Sequence, residues 1–201
     1  QCRWDKHKAD RGDDMEVTNH DATSGSFGNL LRDRIIRVRM LRREVRWVSL
    51  PELLALLMTD DVESLPALRP HQRYPLHCFL AQIGAMAILA GGESILPRDE
   101  SRWRDLLRGL TPQFPGDEPW TLVVDDWSKP GFFQSPVPPG YSNDFSGEIT
   151  TADAFDMLVT SRNHDVKRAI MREAGPEHWV FSLITNQTFQ GGNSGSYRGI
   201  S

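Results

Sequence analysis

Seventeen consecutive uncharged residues, "LHCFLAQIGAMAILAGG" at 76 to 92, constrain this chain more than any other stretch. Such a run must be removed from water, as a core helix or as a membrane span. It is too short to cross a bilayer comfortably and it carries His77 and Gln82, so the expectation is a buried helix. Pro70 and Pro75 fix its approach, and Gly91 and Gly92 end it. Leu76, Phe79, Leu80, Ile83, Ala87, Ile88 and Leu89 spread over most of its circumference, which predicts packing on several sides.

Around this helix the patterns are short and mixed. "RIIRVRM" and "EVRWVSL" read as two strands joined at Leu41 to Arg43, with Ile36, Val38 and Met40 on one face and Arg37 and Arg39 on the other. Ser49 caps and Pro51 opens a helix over "LPELLALLM", closed by the acidic "TDDVES". "DESRWRDLLRGL" is an amphipathic helix capped by Asp99 or Ser101, and "PWTLVVDD" is a buried strand ending in carboxylates. "KPGFFQSPVPPGY" is a loop punctuated by proline. Thr150 or Thr151 starts a helix running to about Val159, "TSRNHD" breaks it, and "GPEHWVFSLITNQTFQ" forms a last helix that delivers the chain into "GGNSGSYRG". The fold class expected is mixed α/β (α+β), an N-terminal β-hairpin followed by several helices and short strands. Residues 1 to 26 lack apolar periodicity and are expected to form a disordered tail outside the fold, which occupies 27 to 201.

Charge narrows the partners. The formal net charge of −4 advertises no general affinity for nucleic acid, but "RDRIIRVRMLRREVR" at 32 to 46 holds seven arginines against two acids, which leaves the rest of the chain at about −9. Arginine outnumbers lysine nineteen to four, and its fork suits phosphate. A solvated strand face laced with salt bridges accounts for the same residues. The two cysteines give no disulfide framework, and no signal peptide or stop-transfer segment is read, which implies a cytoplasmic protein.

Few residues invite chemistry. His71, His77 and Cys78 have neither zinc spacing nor a shared helix face, so a satisfied core histidine and a buried thiol are expected, with no metal or cofactor. Asp125 and Asp126 follow a strand, where carboxylates usually cap turns; with His164 they define an alternative reading, a small cytoplasmic α/β enzyme. The glycine segment 191 to 199 follows a helix and has no "GK[ST]", so it fits neither phosphate-loop pattern. It can press backbone N–H groups against a phosphate or into a groove, or serve as a surface turn.

In their order, "WVSLPELLALL", "DVESLPALRPHQRYPLHCFLAQIGAMAILAG", "PWTLVVDDWSKPGFFQSPVPPG", "ADAFDMLVTSRNHDVKRA" and "HWVFSLITNQTFQG" resemble the CasA family, the large subunits of the type I-E CRISPR complex Cascade. The likeness runs from about Phe27 to Ser201. It implies an incomplete N-terminal α/β domain, without the four-helix bundle that ends the family's longer chains. A non-functional remnant of the same family is the other reading of that truncation. The resemblance further implies a non-catalytic subunit for antiviral defence that holds the 5′ handle of the guide RNA and reads the short motif flanking double-stranded target DNA. It also implies contact with the other Cascade subunits and recruitment of a separate helicase-nuclease, with no membrane partner.

Carried over by residue, the family's handle-contacting loop falls on Ser161, Arg162, Asn163, His164 and Lys167. Asn and His can bond base edges of single-stranded RNA, and Arg162 and Lys167 can hold phosphate. The segment resembling the family's motif-reading loop is Gly191, Gly192, Asn193, Ser194, Gly195, Ser196, Tyr197, Arg198 and Gly199, which the family lays against the minor groove. The chain departs from the pattern where Gly192 replaces an aromatic, where Ser194 and Ser196 replace glycines, and at 32 to 36, where "RDRII" stands with Gly28 apparently inserted before it. The loss of a partner domain is expected to expose apolar surface near Trp179 to Phe189.

Overall fold

The computed structural model describes residues 26–140, 149–156, 171 and 173–189. The expected α+β class is what it shows: small antiparallel sheets set against helices. The hairpin forms as read. Strand β2 (Ile36–Met40) pairs with β3 (Val45–Val48) in the register Ile36↔Val48 to Arg39↔Val45. Ile36 and Val38 point into the core while Arg39 faces water. Two further strands had too few residues to show alternation in the sequence. Strand β1 (Phe27–Asn29) pairs with β5 (Thr121–Val123), and β4 (Val62–Ser64), in the stretch read only as a helix end, joins the outer side of β2.

The glycine that looks inserted has a place in β1. Gly28 adopts φ +77°, and a Cβ there would lie 3.0 Å from Leu122 Cδ1. Gly92 is also left-handed, at φ +67°, but a Cβ there meets nothing. Gly28→Ala is therefore expected to cost about 2 kcal/mol and Gly92→Ala about 1 kcal/mol, the common part being the left-handed backbone. Urea midpoints of the two variants check this, and equal losses would mean that the Leu122 contact relaxes freely.

Three helix starts follow their capping residues. The Ser49 hydroxyl accepts from the Glu52 N–H at 3.2 Å to open α1 (Leu50–Leu57), and an Asp99 carboxyl oxygen accepts from Arg102 N–H at 3.0 Å to open α3 (Glu100–Arg108). Thr151 caps α4 (Ala152–Phe155). That helix is shorter than the sequence implied, because Asp156, at ψ 119°, turns extended three residues before the expected end at Val159.

The apolar run is α2 (Arg73–Gly91), entered through a 3₁₀ turn at Pro70–Gln72 and closed by left-handed Gly92. With that turn it spans 22 residues, long and apolar enough by length and composition to cross a membrane, contrary to the sequence expectation. It is not buried on several sides either. Leu76, Phe79, Gly84 and Ala87 pack into the core, against α3 and the last helix, α5 (Pro176–Phe189). Tyr74, Met86 and Leu89 stand on the other side, Leu89 at 83% exposure. A stripe of about 100° suffices to hold a helix on one layer, and among the described residues no second layer covers α2. The exposed apolar surface thus lies here and not on α5, where Trp179, Val180, Phe181, Leu183 and Ile184 are all buried.

Candidate nucleic-acid interface

Four of the seven arginines between 32 and 46 are spent on carboxylates of this chain. Arg32 reaches Asp117 at 2.7 Å, Arg34 and Arg46 share Glu52 at 3.3 and 3.1 Å, and Arg37 Nε donates to Glu177 at 2.5 Å while lying 5.3 Å over the Trp47 ring. Arg39, Arg42 and Arg43 make no ion pair among the described residues. They share the hairpin end with Glu44 and with the acids of the adjoining stretch, Asp60, Asp61 and Glu63; Leu41 N–H donates to the Asp61 carbonyl at 2.9 Å. The stretch is therefore a strand face crossed by salt bridges rather than a continuous basic surface, and only its tip keeps guanidinium groups outside such pairs.

A second cluster of charge lies inside the molecule, where the lead-in to α2 meets α4 and α5. Asp153 and Asp156, both buried, sit three residues apart and so face the same way. Asp153 accepts from Arg69 Nη2 at 2.8 Å and from the backbone N–H of Met171. Asp156 is met by Gln72 Nε2 at 2.8 Å and by His71 Nε2 at 3.0 and 2.8 Å from its two oxygens. Gln72 is itself oriented, its Oε1 accepting from Arg69 N–H at 3.1 Å. Beside this node Glu177 receives the backbone N–H of Arg37 at 3.0 Å, and burial pushes the His178 imidazole below its usual pKa.

The residues expected to contact RNA, Ser161, Arg162, Asn163, His164 and Lys167, and those expected at the DNA motif, Gly191 to Gly199, lie outside the described residues. Their roots are described. The stretch 157–170 leaves at Asp156 and returns at Met171, both held in the buried node. The stretch from 190 onward leaves the end of α5, one turn beyond Asn186, whose amide lies 3.4 Å from the Phe155 carbonyl. Both segments thus start from the packed α4–α5 pair.

Asp125 and Asp126, the carboxylates of the enzyme alternative, are exposed. Asp126 caps a turn, accepting from the Ser128 hydroxyl at 2.6 Å and its N–H at 2.9 Å, and these bonds hold its carboxyl below the usual range. His71 is the satisfied histidine expected, whereas His77 is exposed and Cys78 half-buried; no group of potential metal ligands occurs among the described residues. The sequence reading passed over Arg69, Gln72, Asp153, Asp156 and Glu177. The one available signal was a pair of aspartates spaced for one helix face in an otherwise apolar "ADAFDMLV".

The fold and its polar node define an α+β protein in which the stretches 157–170 and 190 onward both leave one helix pair. No protein-family model, curated protein or solved structure matches the chain.

Proposed function

We propose that this chain is a non-catalytic, cytoplasmic nucleic-acid-binding subunit of a CRISPR surveillance complex. In this reading Ser161, Arg162, Asn163, His164 and Lys167 hold the 5′ handle of the guide RNA. Gly191 to Gly199 approach the minor groove of the DNA motif beside the target, and the subunit helps recruit the helicase-nuclease. The supporting observation is the ordered set of long phrases resembling the CasA family. The common root of both segments on α4 and α5 is compatible with it, since two reading segments of one complex need a fixed spacing. Base pairing would then read the long sequence while the protein reads the short motif.

The test is a titration of the purified chain with guide RNA carrying its 5′ handle against a scrambled handle. Handle preference is expected to fall at least about tenfold in Asn163→Ala/His164→Ala, the size of a lost base-edge contact. Removing Arg162 and Lys167 should flatten the salt dependence of log K by about 1.4, the value for two phosphates of a single strand. Equal binding of both RNAs by the folded chain would sink the reading and make an enzyme screen the next step.

A further inference from the structure

Trp103, Trp120 and Trp179 are buried among the described residues, and their indole N–H groups are not satisfied alike. Trp103 Nε1 donates to the Pro97 carbonyl at 2.8 Å and Trp120 Nε1 to the Thr111 hydroxyl at 2.9 Å. Trp179 Nε1 is buried and has no hydrogen-bond partner among the described residues. A buried indole usually finds an acceptor, because a bare donor gives up its hydration without return. Trp179 also lines a cavity. Between the β1–β5 sheet and α5 lies a space of about 20 Å³, floored by the buried side chains of Leu122, Trp179 and Leu183 and rimmed by the half-buried Val123, Gln134 and Pro176.

The lining decides what can occupy this space. Its surface is almost wholly apolar and none of the described residues around it is charged, so an ion would lose its hydration there for nothing. Gln134 Nε2 already donates to the Leu122 carbonyl at 2.8 Å, which leaves the indole as the donor without a partner. An indole N–H donates and cannot accept, so its complement is an acceptor that brings no donor of its own. A neutral carbonyl meets that requirement, whereas a hydroxyl brings a proton that the apolar floor leaves unpaired. The space admits only a small group, since one water takes about 10–15 Å³ of such volume. With a buried floor and a half-exposed rim, a short carbonyl-bearing end can enter while anything larger stays outside.

We propose that this cavity is a binding site for a small neutral carbonyl compound, whose oxygen accepts from Trp179 Nε1 while its alkyl groups rest on Leu122 and Leu183. Such a ligand touches β5, the turn carrying Gln134 and α5 together, and so favours the state in which they are packed. The RNA and DNA contacts proposed above play no part in it.

The experiment is an NMR titration of the full chain, labelled with nitrogen-15 and followed at the Trp179 indole resonance. That resonance is assigned by through-bond and nuclear Overhauser connections, so that no change at 179 is required. The ligands are acetone, 2-methylpropene and acetate, which share nearly one shape: the first is neutral with an acceptor, the second neutral without one, the third charged. Acetone is expected to move the indole proton downfield with saturation and to bind about tenfold more tightly than 2-methylpropene, the scale of restoring a partner to a buried donor. Acetate should leave the resonance in place. Val123→Phe, which narrows the entrance without touching the indole, should abolish the acetone shift while the Trp103 and Trp120 resonances stay where they are. No saturable shift with acetone in the folded wild type would leave the donor to water and overturn the site. Equal affinity for acetone and 2-methylpropene would overturn the carbonyl assignment, and an undiminished shift in folded Val123→Phe would put the ligand elsewhere and overturn the site as well. Should Val123→Phe unfold, the comparison of the three ligands on the wild type decides alone.

Discussion

Glu177→Ala is expected to destabilise the protein by about 3–4 kcal/mol, the usual consequence of breaking a buried charge pair from one side. The Glu177 carboxylate is 1% exposed in the first turn of α5, where the helix dipole favours a negative group. Its two oxygens receive the side chain and the backbone N–H of Arg37, so it ties the hairpin to the last helix by both kinds of donor. Truncation would leave the Arg37 N–H without that partner and the Arg37 side chain, 37% exposed, facing a void. Glu177→Gln keeps an acceptor of the same shape and should lose about 1–2 kcal/mol, the share that belongs to charge. Urea unfolding measures both. A loss under 1 kcal/mol in the alanine variant would mean that water reaches Arg37 readily and that the hairpin is held by its apolar face alone.

The second large effect is expected at Asp117, and it carries a pH signature. Asp117 is fully buried and accepts from Arg108 through both oxygens at 2.9 Å and from Arg32 at 2.7 Å, joining the end of α3 to the turn after β1. Burial opposes its charge, but the hydrogen bonds and charge of Arg108, followed by those of Arg32, outweigh it and hold the carboxyl below the ordinary aspartate range. A carboxyl depressed in the folded state stabilises fully above its unfolded pKa of about 4, and loses that contribution as the pH falls through the folded value. Asp117→Asn should thus cost about 2–3 kcal/mol at pH 7, near the strength of hydrogen bonds to charged groups. The difference from wild type should shrink steadily below pH 4. Asparagine tolerates the left-handed backbone at φ 60°, so the loss reports the charge; Asp117→Ala adds backbone strain to it. A difference independent of pH down to about 2 would show that the arginines are held elsewhere.

Much of the fold was legible because its signals are local. The Ser49 and Asp99 caps, Gly92 after the long helix and the alternation of Ile36 and Val38 each act within a few residues of where they are read. Strands β1 and β4, three residues each, are defined by their partners and not by a pattern of their own. The same holds for the polar node. Asp156 meets His71 across 85 positions, and nothing near either residue announces the other. The buried run Trp179–Ile184 was read correctly as apolar and wrongly as uncovered, while α2 was read as covered. Composition gives a residue's preference for burial, but which side of a helix finds a neighbour is settled by the packing of distant elements. The segments read as binding RNA and DNA lie outside the described residues, and that reading came through resemblance alone.

The open side of α2 makes stability a property shared with the surroundings. A folded state displaying Tyr74, Met86 and Leu89 along one helix has a chemical potential that falls with anything able to cover them, while the unfolded chain does not hold them on one helix. By mass action, the occupant's concentration relative to its Kd enters the folding equilibrium directly, adding about 2.7 kcal/mol at a hundredfold excess. Folding and the covering of this face by any occupant would then be two halves of one equilibrium, linked by the longest helix among the described residues.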